Sequence, residues 1–195
     1  MERADVLELK EVRAMMAAAM AAGRTRDALL IGLGAAYGLR IGDLLALTWG
    51  TILDEAGRPR AWVEFTERKN RTRRVCRTPN WLLPVLDAYI NEVGAENIDP
   101  NARIFHISRV RAWQILKAWA EACGVRKRIS PHSLRKCFCT TIYRLTRDPV
   151  LACQFTGHKN AANLLRYIGY PSPTVERIWA RFAEAEEDWE GAGWA

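Results

Sequence analysis

The apolar period of this chain departs from helical spacing in one segment, and that departure limits the fold more than any other feature. Residues 7–49, and again those from 81 onward, carry apolar side chains at helical spacing. Between them Ala61-Trp62-Val63-Glu64-Phe65-Thr66 alternates and is rich in strand formers. Residues 67–71 are polar and turn-like, and 72–78 return as a partner strand, giving a hairpin. Ser130-Pro131, Asp148-Pro149 and Ser172-Pro173 each place a capping residue before a proline, a helix-start device. Helices are predicted over 7–22, 27–36 with Thr25 as cap, 41–49, 81–93, 109–123, 131–145, 149–157 and 163–168. A last helix is predicted over 172–190, with an acidic tail in 184–195. The expected fold class is mainly α with a small β-hairpin (α+β). No repeat, linker or composition break divides residues 1–195, so a single domain is expected.

Charge narrows the partners. Lys and Arg number 29 against 22 Asp and Glu, a formal net charge of +7, which favours a polyanion such as nucleic acid. A hydrophobic share of 49% is too high for a disordered chain. Five cysteines, none in a C-x-x-C pair, argue against a disulfide scaffold or a zinc site. Cys137 and Cys139 are expected to pack inside a helix. The charged N-terminus lacks a signal peptide's apolar core, and no apolar run is long enough to span a membrane. A cytoplasmic protein is expected.

Four local patterns carry chemistry. Arg40 enters a predicted helix in Gly38-Leu39-Arg40, with Asp43 three residues on. Lys69 sits at the hairpin tip among Arg68, Arg71, Arg73 and Arg74. His132 and Arg135 share a helix face in His132-Ser133-Leu134-Arg135. Gly157-His158 is followed by Tyr167, with Tyr170 close behind. Two arginine forks match the oxygens of a phosphate. Histidines and a lysine move protons, and a tyrosine hydroxyl is an oxygen nucleophile. The set suits metal-free attack on a phosphodiester. Asp43, Glu64 and Glu67 are scattered among basic residues and form no two-metal cluster. Each residue alone has a plain reading: Arg40 paired to Asp43, His132 as a surface histidine, Arg135 and Lys136 as a solvated face, Tyr167 as core packing.

Taken in order, these patterns resemble the catalytic domain of the tyrosine recombinases, the phage integrase family. The match covers about residues 9–179, and Tyr167 falls nine residues after His158. The resemblance implies the DNA breaking-rejoining catalytic-domain fold. It implies that Tyr167 attacks the scissile phosphate, leaving a 3′-phosphotyrosyl enzyme and a free 5′-hydroxyl. Arg40 and Arg135 would bind the non-bridging oxygens, and Lys69 would protonate the leaving oxygen. His132 would handle the tyrosine proton, and His158 would hydrogen-bond the phosphate. Neither metal nor other cofactor is implied. Arg68, Arg71, Arg73, Arg74, Lys136 and Lys159 are expected to touch the DNA backbone.

Double-stranded DNA is the implied partner, with a tetrameric synapse on DNA and a monomer or weak oligomer in solution. A bacterial or phage-encoded protein at the nucleoid is implied. The N-terminal DNA-clamping domain of many members is expected to be missing. The 172–190 helix folds back on its own core or docks on a neighbouring protomer. Tyr170 competes with Tyr167 but precedes Pro171, where a helix tends to end. Two other functions share the fold: a type IB topoisomerase and a catalytically silent DNA-binding protein.

Overall fold

The computed structural model describes residues 4–69 and 71–170. The 172–190 helix and the acidic tail lie outside the described residues. The helices run α1 Leu9–Ala21, α2 Thr25–Tyr37, α3 Ile41–Leu44 and α4 Trp49–Ile52. After the strands β1 Trp62–Glu67 and β2 Thr72–Arg77 come α5 Leu83–Val93, α6 Arg109–Ala122, α7 Pro131–Thr146, α8 Pro149–Thr156 and α9 Ala161–Ile168.

α2 organises the core. It is apolar on nearly every face, so it is stable only when surrounded. α1, α5 and α7 pack around it. A smaller apolar cluster (Phe138, Cys139, Ala152, Leu164 and Ile168) joins α7, α8 and α9. α7 therefore belongs to both clusters and carries the link between them.

Of the capping devices read from the sequence, Ser130-Pro131 and Asp148-Pro149 operate; Thr25 is instead the first residue of α2, with Arg24 at the cap position and no side-chain cap bond, and Ser172-Pro173 lies outside the described residues. Ser130 Oγ accepts the His132 amide at 3.2 Å. Asp148 Oδ1 accepts the Val150 amide at 2.7 Å. Asn160 Oδ1 accepts the Asn163 amide at 2.9 Å and caps α9, which starts two residues earlier than predicted.

Residues 41–52 hold two single turns, α3 and α4, where one helix is predicted over 41–49. Leu45 and Leu47 between them are buried. The Leu47 carbonyl accepts the Ile104 amide at 3.0 Å, and the Trp49 amide donates to the Ala102 carbonyl at 3.1 Å. These bonds take backbone groups that a continuous helix needs.

The strands pair antiparallel, from Trp62 opposite Arg77 to Glu67 opposite Thr72. Thr78 extends the second strand by one bond, its amide donating to the Ala61 carbonyl at 2.9 Å. Its buried hydroxyl donates to the Arg60 carbonyl at 2.6 Å. In this register Val63 and Glu67 point inward, as do Arg74 and Cys76 from β2, while Trp62, Glu64, Arg73 and Val75 face out.

Candidate active site

The site is assembled where α2 ends, β1 ends, α7 begins and α8 ends. α2 stops at Gly38, whose φ of +58° is the left-handed conformation glycine allows without strain. The turn frees the Gly38 carbonyl, which accepts Arg135 Nη1 from α7 at 2.7 Å. Arg135 Nη2 donates to the Thr156 carbonyl at the end of α8, at 3.1 Å. One guanidinium thus ties three chain segments together.

At its centre lies Glu67, the last residue of β1. Its side chain is 0% exposed. Glu67 Oε1 accepts both Arg135 Nη1 and Arg74 Nη1, each at 2.8 Å. Glu67 Oε2 pairs with Arg40 Nη1. Burial alone would raise the Glu67 pKa; the charge and hydrogen bonds of Arg135, then those of Arg74 and Arg40, outweigh it and leave the pKa below the ordinary carboxylate value.

Arg40 keeps 25% of its side chain exposed, and the Glu67 pair is its one ion pair among the described residues. One of its five N–H donors goes to Glu67.

His158 and Tyr167 close the other side. His158 Nδ1 lies 2.9 Å from the Thr156 hydroxyl. Burial, helped by the charges of Arg135 and Arg40, lowers its pKa from 6.5 to about 4. His158 is therefore neutral at pH 7. Its ring centroid is 5.1 Å from that of Tyr167. The Tyr167 hydroxyl points at the His132 carbonyl, 3.5 Å away, at the outer limit of a hydrogen bond. Burial pushes the Tyr167 phenol above its ordinary pKa, while Arg135 and Arg40 pull it down. Desolvation lowers the His132 pKa too, with Arg135, Arg40, Lys136 and Lys69 adding to it. The Lys69 charge thus reaches the site, although Lys69 itself stands exposed at the hairpin tip.

Arg40, His132, Arg135, His158 and Tyr167 are linked by one continuous chain of contacts through Glu67 and Thr156. Tyr170 lies apart, its ring edge-on to Tyr143 with centroids 5.1 Å apart.

Arg74 differs from the expectation of a DNA-backbone contact. Its residue exposure is 3%. Its donors go to Glu67, to the Phe155 carbonyl at 2.9 Å and to the Tyr37 carbonyl at 2.8 Å. The inward register of β2 at this position explains the burial. Lys136 is also mostly buried, its ammonium bonded to the Ala4 carbonyl at 2.8 Å and 5.8 Å from the Tyr167 ring centroid. Arg68, Arg71, Arg73 and Lys159 are exposed, with Arg73 paired to Glu64.

Sequence reading missed Glu67, Arg74 and Thr156 as site components. The signal was there for Glu67: it shares the parity of Val63 on the inward face of a strand, where a carboxylate requires partners. Cys137 and Cys139 are buried, and burial pushes their pKa up to about 11 and about 12, so both stay inert thiols. Among the described residues no group of three His, Cys, Asp or Glu side chains could hold a metal ion. No helix among them is long and apolar enough to cross a membrane.

Comparison with known proteins places the chain. It is 29% identical over 164 residues to the probable integrase/recombinase YoeC of Bacillus subtilis (strain 168), covering 80% of this chain and 84% of that one. It is 31% identical over 87 residues to the tyrosine recombinase XerD of Mycobacterium tuberculosis (strain ATCC 25618 / H37Rv), covering 45% of this chain and 28% of that one.

The crystal structure of XerA recombinase superposes with a TM-score of 0.69 at 18% identity, over 93% of this chain and 66% of that one. XerH site-specific recombinase bound to its difH substrate gives the same TM-score and identity, over 94% and 54%. The chain thus spans less than two thirds of several of its relatives. Residues 5–170 match the phage integrase family throughout. The fold is that of a tyrosine recombinase catalytic domain, and the chain belongs to the phage integrase family.

Proposed function

We propose that this protein is a site-specific DNA recombinase that cuts and rejoins double-stranded DNA through a 3′-phosphotyrosyl intermediate, with Tyr167 as nucleophile. The observation that carries the reading is the single chain of contacts, through Glu67 and Thr156, that joins two arginines, two histidines and one tyrosine.

The roles follow from the chemistry. Arg40 and Arg135 hold the non-bridging oxygens of the scissile phosphate and stabilise the charge of the pentavalent transition state. The Tyr167 oxygen bonds to phosphorus and gives its proton to His132, whose lowered pKa leaves it free to accept one. Lys69 protonates the departing 5′-oxygen as the P–O bond breaks. His158 accepts from the Thr156 hydroxyl at Nδ1 and presents Nε2–H to a phosphate oxygen. Rejoining reverses each transfer with a 5′-hydroxyl of the partner strand. Phosphodiester energy is kept in the phosphotyrosine, so the route uses no nucleotide and no metal.

The solved XerH complex contains its difH substrate, which supports duplex DNA as the partner here. Strand exchange needs neighbouring protomers on DNA, and a tetrameric synapse assembled from a monomer or weak oligomer fits that need. A cytoplasmic, nucleoid-bound enzyme acting as one catalytic domain fits the same reading.

Covalent trapping tests it. The protein is incubated with nicked duplexes drawn from its host element, in chelator and at low salt, then denatured. A protein–DNA band is expected from wild type and Tyr170→Phe, and none from Tyr167→Phe. A band that survives Tyr167→Phe overturns the assignment. Plasmid relaxation without exchange between two duplexes would instead identify a topoisomerase.

A further inference from the structure

Glu67 is a fully buried carboxylate set directly behind the two arginines that the proposed chemistry assigns to phosphate. That chemistry gives it no role, and a buried anion competing for catalytic guanidiniums requires an explanation. Three guanidiniums, from Arg40, Arg74 and Arg135, converge on its two oxygens. With Glu67 ionised, the cluster carries two net positive charges. His158 adds none at neutral pH, since its pKa is lowered to about 4. A phosphodiester ground state carries one negative charge. The pentavalent transition state carries two.

We propose that Glu67 is a positioning residue that fixes the aim of the arginine pair before DNA binds. Two features of the geometry support this. Glu67 Oε1 bridges Arg135 to Arg74, and Arg74 is anchored at both ends by the Tyr37 and Phe155 carbonyls. Arg135 is therefore held in place before DNA arrives. Glu67 Oε2 holds Arg40 through one donor only, leaving the rest of that fork for phosphate. Only binding that improves between ground state and transition state speeds the reaction. Arginines released from Glu67 would still attract every phosphate, but they would no longer be aimed in advance at the pentavalent geometry.

The inference rests on the recombinase reading above, and its test separates the two. Glu67→Gln keeps the shape and removes the charge. Duplex binding to a short non-specific DNA and the rate of covalent trapping are measured side by side on protein that melts cooperatively. The expected result is a split: tighter duplex binding, with covalent complex forming on the order of 10²-fold more slowly. Wild-type binding and wild-type trapping in this variant would overturn the proposal.

Glu67→Gln combined with Arg74→Gln removes one charge of each sign, so the net charge returns to two while the anchors of Arg135 stay broken. Trapping no better than in the single variant is expected from this double variant. It also stands in if the single variant does not fold. A folded, DNA-binding double variant that recovers trapping to within about tenfold of wild type would show net charge rather than aim at work, and overturns the proposal. Failure of both variants to fold would assign Glu67 a purely structural part and also overturn it. If wild type forms no covalent complex on any probe, the recombinase reading falls. The positioning role falls with it, whereas trapping by wild type leaves the variants to decide.

Discussion

At the scale of single residues the site is a set of groups whose charge states depend on one another. His158 shows this with a sign that can be measured. Its pKa falls from 6.5 to about 4 on folding because burial and the arginines disfavour its cation. Between those values the unfolded chain binds a proton that the folded chain refuses. The stability this group contributes is complete above pH 6.5 and is lost as pH falls toward 4. Urea midpoints measured across that window should fall more steeply for wild type than for His158→Gln. Equal slopes would place His158 in a more solvated position than described. Arg74 teaches a complementary point about reading charge from sequence. Among the hairpin arginines its type says nothing; its parity with Cys76 does, because that face of β2 is buried.

At the scale of elements, the site depends on where helices stop. α2 must end in a left-handed turn to offer the Gly38 carbonyl to Arg135. A Cβ added at Gly38 would lie 2.2 Å from Phe138 Cδ1. Gly38→Ala combines left-handed strain with overpacking, an expected cost of about 2–4 kcal/mol. For a chain of this length that is a fall of roughly 4–16 °C in Tm, read by calorimetry. A Tm unchanged within error would mean that α7 can shift away from α2 without cost.

Helix starts were legible because Ser130-Pro131 and Asp148-Pro149 cap locally, with bonds spanning two or three residues. The hairpin was legible from its alternation. The break at 45–48 was not, since it comes from backbone bonds to residues 102–104, far along the chain. The role of Glu67 was hidden in the same way, because its partners Arg40, Arg74 and Arg135 are supplied by three other parts of the chain. The resemblance carried the pattern of the site, and the packing supplied what holds it.

At the scale of the whole molecule, the two apolar clusters divide the work. The larger one, around α2, fixes Arg40, Glu67 and Arg74. The smaller one, under α7, α8 and α9, brings His158 and Tyr167 to them. The net charge of +7 suits approach to a polyanion, and Arg68 and Arg71 are exposed. Replacing either with Ala should weaken duplex binding alike on all sequences and reduce the slope of log K against log salt by about 1. An unchanged slope in a binding titration would remove that residue from the DNA contact.

The central claim is that Tyr167 carries the covalent bond to DNA, and it can be read at the atom concerned. The trapped complex is digested with nuclease and trypsin, which cuts after Arg166 and Arg177, and the peptide is fragmented in a mass spectrometer. The account predicts a nucleotide joined through its 3′-phosphate to Tyr167. An adduct on Tyr170 or any other residue, or a 5′-linkage, would contradict it.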